Sequence, residues 1–241
     1  MTPRPRARQD LWVTAMALVA LLCWDVSGLD LATARLFGSA HGFGLRDSWW
    51  TATLLHEGGR LAAWVTMVAV ALSLWNTPTL LQPSRTHRGR WLAVMLLCIV
   101  AVPAIKRFSP TSCPWDLAEF GGVATYVSHW RLGQADGGSG RCFPSGHAVA
   151  AYGFFGMYFL WRPYSAVRAR AWLCAVLVVG AVFGLAQLAR GAHYPSHTLW
   201  SAWLCWGLFA GASRLRGLQS VSAKPSTNAA GVVTDPSCRA P

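Results

Sequence analysis

Charged side chains are scarce in this sequence. Of its 241 residues, 12% are Asp, Glu, Lys or Arg and 54% are hydrophobic, whereas a soluble domain carries about twice that charged share. The apolar residues form long runs, which short arginine-containing segments separate. This pattern excludes an ordinary soluble domain and predicts a polytopic membrane protein. An internal repeat with a period of about 20–50 residues is also lacking, and the length fits one domain.

Acidic residues are scarcer still, with nine against 21 lysines and arginines, which gives a net charge of +12. Nucleic-acid-binding proteins share such an excess, but here the basic residues lie mainly in short connections between apolar runs. In that position they set membrane topology and contact anionic lipid headgroups. We therefore expect the bilayer as a partner and no nucleic acid.

The seven cysteines are too scattered to indicate a disulfide framework. Four of them lie inside apolar runs, where we expect small buried hydrophobic side chains: Cys23, Cys98, Cys174 and Cys205. Of the other three, Cys113 and Cys142 lie in one long polar connection, and Cys238 lies in the last segment of the chain.

Six apolar runs approach the roughly 20 residues that a helix needs to cross a bilayer core. They are residues 11–28, 54–75, 91–105, 148–161, 171–189 and 198–212. The first run lacks a clear small-residue cleavage site, so we expect a membrane span and not a cleaved signal peptide. The sequence thus predicts an all-α domain of six transmembrane helices in residues 1–217. Residues 218–241 are poor in apolar side chains and are expected to form a disordered tail.

The arginines fall on alternate connections between these runs. They precede the first run, separate the second from the third and the fourth from the fifth, and follow the sixth: Arg4, Arg6, Arg8; Arg85, Arg88, Arg90; Arg162, Arg168, Arg170; Arg214, Arg216. With six spans, all these segments and both termini lie on one side, which the positive-inside rule makes cytoplasmic. Residues 29–53, 106–143 and 190–197 then face outward, and the mixed segment 31–50 is expected as an interfacial amphipathic helix.

Most of the unusual polar residues lie in three blocks of the outer connections. The blocks are KRFSPTSCPWDL at 106–117, RCFPSGHA at 141–148 and QLARGAHYPSH at 187–197. Each alone has an ordinary explanation, such as a helix cap or a side chain that reaches the membrane interface. Together they bring two histidines, a lysine and arginines to one end of the helices, where ionisable groups are costly and usually functional.

The chemistry that suits this set is phosphoryl transfer. Lysine and arginine neutralise phosphate oxygens, and the backbone amides of Ser145, Gly146 and His147 at a helix start form an anion site. One histidine can attack phosphorus while the other protonates the leaving oxygen.

The three blocks resemble the signature of the type 2 phosphatidic acid phosphatase superfamily, a family of six-helix membrane lipid phosphatases. Its pattern is Lys-x6-Arg-Pro, then Pro-Ser-Gly-His, then Ser-Arg-x5-His-x3-Asp. The CPWDL and RGAH stretches are similar to a bacterial branch, which implies the inner (cytoplasmic) membrane as the location. The resemblance also implies a phosphohistidine intermediate and neither a metal nor an organic cofactor.

By this resemblance, Lys106 matches the phosphate-binding lysine. Ser145, Gly146 and His147 match the second motif, with His147 as the acid for the leaving group. His193 matches the nucleophile.

Three positions depart from the pattern: Cys113 and Gln187 replace its arginines, and His197 replaces the aspartate that orients the nucleophile. Such losses also fit an inactive paralogue, but compensation is favoured. Arg190 lies one helical turn after Gln187, and Arg107 adjoins Lys106.

His197, four residues after His193, can accept a hydrogen bond from the nucleophile's ring; Asp116 and Glu119 are alternatives for that role. Cys113 and Cys142 should both lie near the same cationic site. The outer compartment of a bacterial cell permits disulfides, so we expect these two cysteines to be bridged.

Three other functions remain open. His193 and His197, with Cys113, Cys142 and His147, could hold the zinc of a hydrolase, but the glutamate of zinc proteases is lacking. A phosphotransferase between lipids could use the same histidines. A non-catalytic lipid-binding protein or transporter is disfavoured, because the charges cluster at one face and not at the midplane.

Overall fold

The computed structural model describes residues 5–76, 82–131, 133–215 and 218, and these are mostly helical. The helices are α1 (Pro5–Val26), α2 (Leu29–Ala34), α3 (Gly59–Leu72), α4 (Arg85–Arg107), α5 (Val149–Tyr152), α6 (Phe155–Trp161), α7 (Ala166–Ala189) and α8 (Pro195–Ala212). A π-helix, Trp49–Gly58, leads into α3, and a small antiparallel hairpin joins β1 (Gly38–Ser39) to β2 (Gly42–Phe43). Single 3-10 turns occupy Ser73–Trp75, Pro114–Asp116 and Ala118–Phe120. The tail predicted to be disordered lies outside the described residues, apart from Leu218.

Four helices are long and apolar enough to cross a membrane: Arg6–Val26, Trp49–Trp75, Arg85–Arg107 and Ala166–Ala189. They coincide with four of the six predicted runs. The run at 148–161 is shorter and is divided between α5 and α6, and α8 has 18 residues. The protein is therefore a helical membrane protein.

The ends of the helices differ from the ends of the apolar runs because polar side chains cap them. The Ser165 hydroxyl accepts a hydrogen bond from the Arg168 N–H (3.3 Å), so α7 begins before its apolar part. The helix α8 begins at Pro195, where the buried Asp30 of α2 accepts hydrogen bonds from the Ser196 N–H (3.0 Å) and hydroxyl. An aspartate at a helix start also complements the helix dipole.

The prediction of one amphipathic helix over residues 31–50 is wrong. This segment contains the end of α2, the hairpin and the start of the π-helix. Gly38 and Gly42 are the reason, because Gly42 has a positive φ of 96°. A Cβ at Gly38 would lie 2.7 Å from the rings of Phe43 and Phe120, so the chain folds back where a helix would have continued.

The buried core lies between α4, α5, α6 and α8, where Trp91, Met95 and Phe209 are almost fully buried. Cys98 and Cys205 belong to it, as predicted. The prediction is wrong for Cys23 and Cys174, which are exposed. They lie on α1 and α7, whose outer faces are not covered by other helices of this chain.

Candidate active site

His193 lies in the short connection between α7 and α8. The N–H groups of Ala192 and His193 both donate to the Gln187 carbonyl, which ends α7 in a tight turn. Gly191 permits this turn, with a φ of 70° and the Phe43 ring where a Cβ would stand. His193 is left 5% exposed.

The two histidines of the third block face one another. The Nδ1 atoms of His193 and His197 are 3.5 Å apart, so one ring can donate and the other accept. Donation by the His193 Nδ1–H leaves Nε2 without a proton, so Nε2 is the nitrogen available for attack. The carboxylates considered for this orienting role are engaged elsewhere: Asp116 accepts from the Cys113 N–H and the Ser139 hydroxyl, and Glu119 pairs with Arg35.

The second motif is held on the first turns of α8. Ser145 donates its N–H to the His197 carbonyl (3.0 Å), and the Ser201 hydroxyl donates to the Ser145 carbonyl (2.8 Å). The Ser145 amide is therefore occupied, which corrects the expectation that it binds an anion. Its hydroxyl caps the following turn by accepting from the Ala148 N–H (3.3 Å).

Two other amides of this motif remain available. Among the described residues, no hydrogen bond uses the N–H of Gly146 or of His147. Lys106, at the end of α4, lies over this turn: a Cβ built on Gly146 would be 3.9 Å from the Lys106 Nζ. A cation and two free amides together suit an anion with several oxygens.

Burial and neighbouring charges favour the neutral forms of His193 and His147. Burial, followed by the effects of Lys106, His197 and His147, lowers the pKa of His193 well below its usual value. Burial, followed by His56, lowers the pKa of His147 to about 4. His147 Nε2 is buried and has no hydrogen-bond partner among the residues that the structure describes. A neutral His193 is nucleophilic, and an anion bound beside His147 would favour protonation of its ring.

The two candidate arginines differ in placement. Arg190 is half-buried, donates from Nε to the Arg46 carbonyl (2.8 Å), and lies close enough to contribute to the lowered pKa of His147. Arg107 is exposed, and none of the described hydrogen bonds or ion pairs links it to the site. Of the two, only Arg190 is brought to the histidines.

Cys113 and Cys142 form a disulfide, with their Cα atoms 5.2 Å apart. The Cys142 Sγ lies 3.4 Å from His193 Nδ1, so the bridge packs against the nucleophile candidate. Potential metal-ligating atoms of Cys113, Cys142 and His193 lie within 4.8 Å of one another. Zinc binds cysteine as the thiolate, and bridged sulfurs offer none, so this group does not fit the zinc-hydrolase alternative.

Sequence reasoning missed two contributors from the first half of the chain. His56 packs on His147 with ring centroids 4.5 Å apart. The carboxylate of Asp25 in α1, on a side chain only 1% exposed, accepts from the indoles of Trp130 (3.0 Å) and Trp200 (2.9 Å). It lies 3.4 Å from His129, whose ring stands edge-on to His197. The available signal was an ionisable residue in or beside an apolar run.

The comparisons with known proteins bear on the same residues. Neither a search of curated proteins nor a search of solved structures gave a match. A sequence model of the PAP2 superfamily, which is the type 2 phosphatidic acid phosphatase superfamily that the three blocks resemble, matches residues 89–219. The matched range is more than half of the chain and includes Lys106, His147 and His193. Members of that superfamily are phosphatases and related phosphoesterases. The chain therefore belongs to the PAP2 superfamily.

Proposed function

We propose that the protein is a phosphatase that hydrolyses a phosphomonoester or pyrophosphate of a lipid at the periplasmic face of the bacterial inner membrane. The observation that carries the proposal is the grouping of Lys106, His147 and His193 around the two free amides of Gly146 and His147. A phosphoryl group needs cations and N–H donors for its oxygens, a nucleophile and an acid, and these residues supply each of them.

In the first step, Lys106, Arg190 and the two amides bind the phosphoryl oxygens. His193 Nε2 attacks phosphorus, so that a P–N bond forms and the P–O bond to the lipid breaks. His147 gives its proton to the leaving oxygen. His197 faces His193 Nδ1 (3.5 Å between the Nδ1 atoms) and can stabilise the ring as it gains positive charge.

In the second step, water attacks the phosphohistidine. His147, now neutral, takes a proton from that water, the P–N bond breaks, and phosphate leaves with the added oxygen. The enzyme returns to its starting state, and the mechanism requires neither a metal nor an organic cofactor.

A lipid substrate is supported by a groove of about 820 Å³ along α3 and the π-helix that carries His56. Apolar side chains of Trp49, Leu61 and Trp64 line it, together with Glu57 and Arg60. The groove follows a helix that is long and apolar enough to cross a membrane. In this proposal an acyl or polyprenyl chain of the substrate lies along the groove.

The proposal includes six spans, with 148–161 and α8 as the two beyond the four long helices, and cytoplasmic termini. It is supported by the arginines, which fall on alternate connections. Residues 106–143 and 190–197, which carry most of the site, are then periplasmic.

A cysteine-labelling experiment tests this topology. Thr86 and Gln134 are exposed, and single cysteines there are expected to react from opposite sides, because 86 is proposed to be cytoplasmic and 134 periplasmic. The background replaces Cys23, Cys174 and Cys238 by Ala. In intact spheroplasts, an impermeant maleimide should label position 134 at once and position 86 only after lysis. Labelling of position 86 alone in intact spheroplasts would contradict the topology.

The activity is tested with purified protein and a panel of lipid phosphates: lipid A phosphate, a polyprenyl pyrophosphate and phosphatidylglycerol phosphate. We expect phosphate release from at least one, inhibition by orthovanadate, which mimics five-coordinate phosphorus, and no loss in EDTA. Transfer of labelled phosphate to a second lipid would instead support a phosphotransferase. Loss of activity in EDTA, restored by zinc, would contradict the metal-independent mechanism.

A further inference from the structure

His56 lies beside the candidate site although no sequence motif marks it. It belongs to the π-helix Trp49–Gly58, and its ring centroid is 4.5 Å from that of His147. The charges of Arg190 and Lys106, both proposed to bind phosphate, act on the His56 ring. His56 therefore stands among the groups that surround the proposed phosphoryl position. The PAP2 match begins at residue 89 and does not include it.

The π-helix is seated by a close approach between two helices. A Cβ built on Gly59 would lie 2.5 Å from Cζ of Phe183 on α7, so only glycine permits this contact. The Phe183 ring also packs on His147, with centroids 4.9 Å apart. The same contact thus brings His56 and His147 together. Stretches of π-helix are rare and frequently occur at functional sites.

Gln187 fixes the orientation of the His56 ring. Gln187 is 2% exposed, and its side-chain nitrogen lies 3.0 Å from His56 Nδ1. Because the amide nitrogen donates, Nδ1 accepts, and the proton of a neutral His56 ring is carried by Nε2. The side chain is 29% exposed, and Nε2 lies 3.5 Å from the Glu57 carboxylate.

Gln187 occupies the position at which the superfamily pattern has a phosphate-binding arginine. The Gln187 side chain is shorter than that of an arginine, but it is hydrogen-bonded to the ring of His56, which can supply an N–H donor in place of the guanidinium. We propose that His56 binds a phosphoryl oxygen of the substrate through its Nε2–H, so that Gln187 and His56 together replace the missing arginine. The inference rests on the proposed phosphatase function and adds a substrate-binding residue from a helix outside the matched region.

The test measures orthovanadate binding by calorimetry, which requires no turnover. His56→Phe keeps a ring against His147 but removes the donor, whereas His56→Gln keeps a donor. We expect His56→Phe to weaken vanadate binding and to raise the KM of the lipid phosphate, each about 10- to 100-fold, because a hydrogen bond to a charged group is lost. His56→Gln should lose less. Adding Gln187→Arg to His56→Phe should recover most of the binding, because it restores the arginine.

Three results would overturn the inference: vanadate affinity in His56→Phe within twofold of wild type, a loss confined to kcat, or no recovery with Gln187→Arg. A loss confined to kcat would mean that His56 only positions His147. Matching thermal unfolding of wild type and both His56 variants shows that the fold is kept. A wild type that binds vanadate through His56 but releases phosphate from no lipid would contradict the phosphatase function and leave the binding role of His56 supported.

Discussion

Replacement of His193 by alanine is expected to lower phosphate release from a lipid phosphate by roughly 10⁴- to 10⁶-fold, because the covalent route disappears with the nucleophile. The surroundings of His193 suit a nucleophile. It is 5% exposed, its Nδ1 faces His197, and burial together with Lys106, His197 and His147 lowers its pKa well below the usual value. The ring is therefore unprotonated and nucleophilic at neutral pH.

The matched control is His41→Ala, since His41 is an exposed histidine in the turn between β1 and β2 and its replacement should leave the rate unchanged. Brief reaction of the wild type with a ³²P-labelled lipid, followed by denaturation, should trap an acid-labile, alkali-stable phosphoprotein. The same treatment of His193→Ala should yield none. Turnover in His193→Ala within tenfold of wild type, or a trapped phosphate on another residue, would move the nucleophile elsewhere.

The four long helices could be predicted because each contains a run of apolar residues, and hydropathy is a local property of the sequence. Their ends could not be predicted as well, because caps decide them and caps involve partners that are remote in sequence. Asp30 caps α8 at Ser196, 166 positions later, and neither residue alone indicates the pairing.

The candidate site was predictable where three motifs in order resemble a known signature. Lys106, the second motif and His193 are brought together, and the structure has the Cys113–Cys142 bridge. Proximity in sequence was a poor guide to the other predicted site residues. Arg107 adjoins Lys106 but projects outward, because neighbouring residues on a helix point in different directions.

His56 was not predictable from the sequence. It lies in an apolar run 131 positions before Gln187, and no spacing rule connects a residue of the π-helix to the turn before α8. What joins them is the contact of Gly59 with Phe183. Such a contact depends on how two helices pack, which hydropathy does not encode.

Replacement of His147 by alanine should reveal an acid that acts on the leaving group. General acid catalysis contributes about 10²- to 10⁴-fold, and we expect a loss of that size with a lipid phosphate, whose alkoxide leaving group needs a proton. With an aryl phosphate whose leaving group is stable as an anion at neutral pH, the loss should be much smaller. Comparable losses with both substrates would show that His147 acts on binding or folding and not as the acid.

The pH dependence gives the same residue a second test. Burial, followed by His56, lowers the pKa of His147 to about 4, so the ring is neutral in the free enzyme at neutral pH. The bound phosphate, an anion, stabilises the protonated ring and raises its pKa, so productive binding takes up a proton. For the wild type and a lipid phosphate, kcat/KM should therefore rise as the pH falls from 8 to about 6, while His193 stays neutral because its own pKa is lowered. In His147→Ala with the same lipid phosphate that rise should disappear, and a rise of unchanged slope would assign the titrating acid to another group.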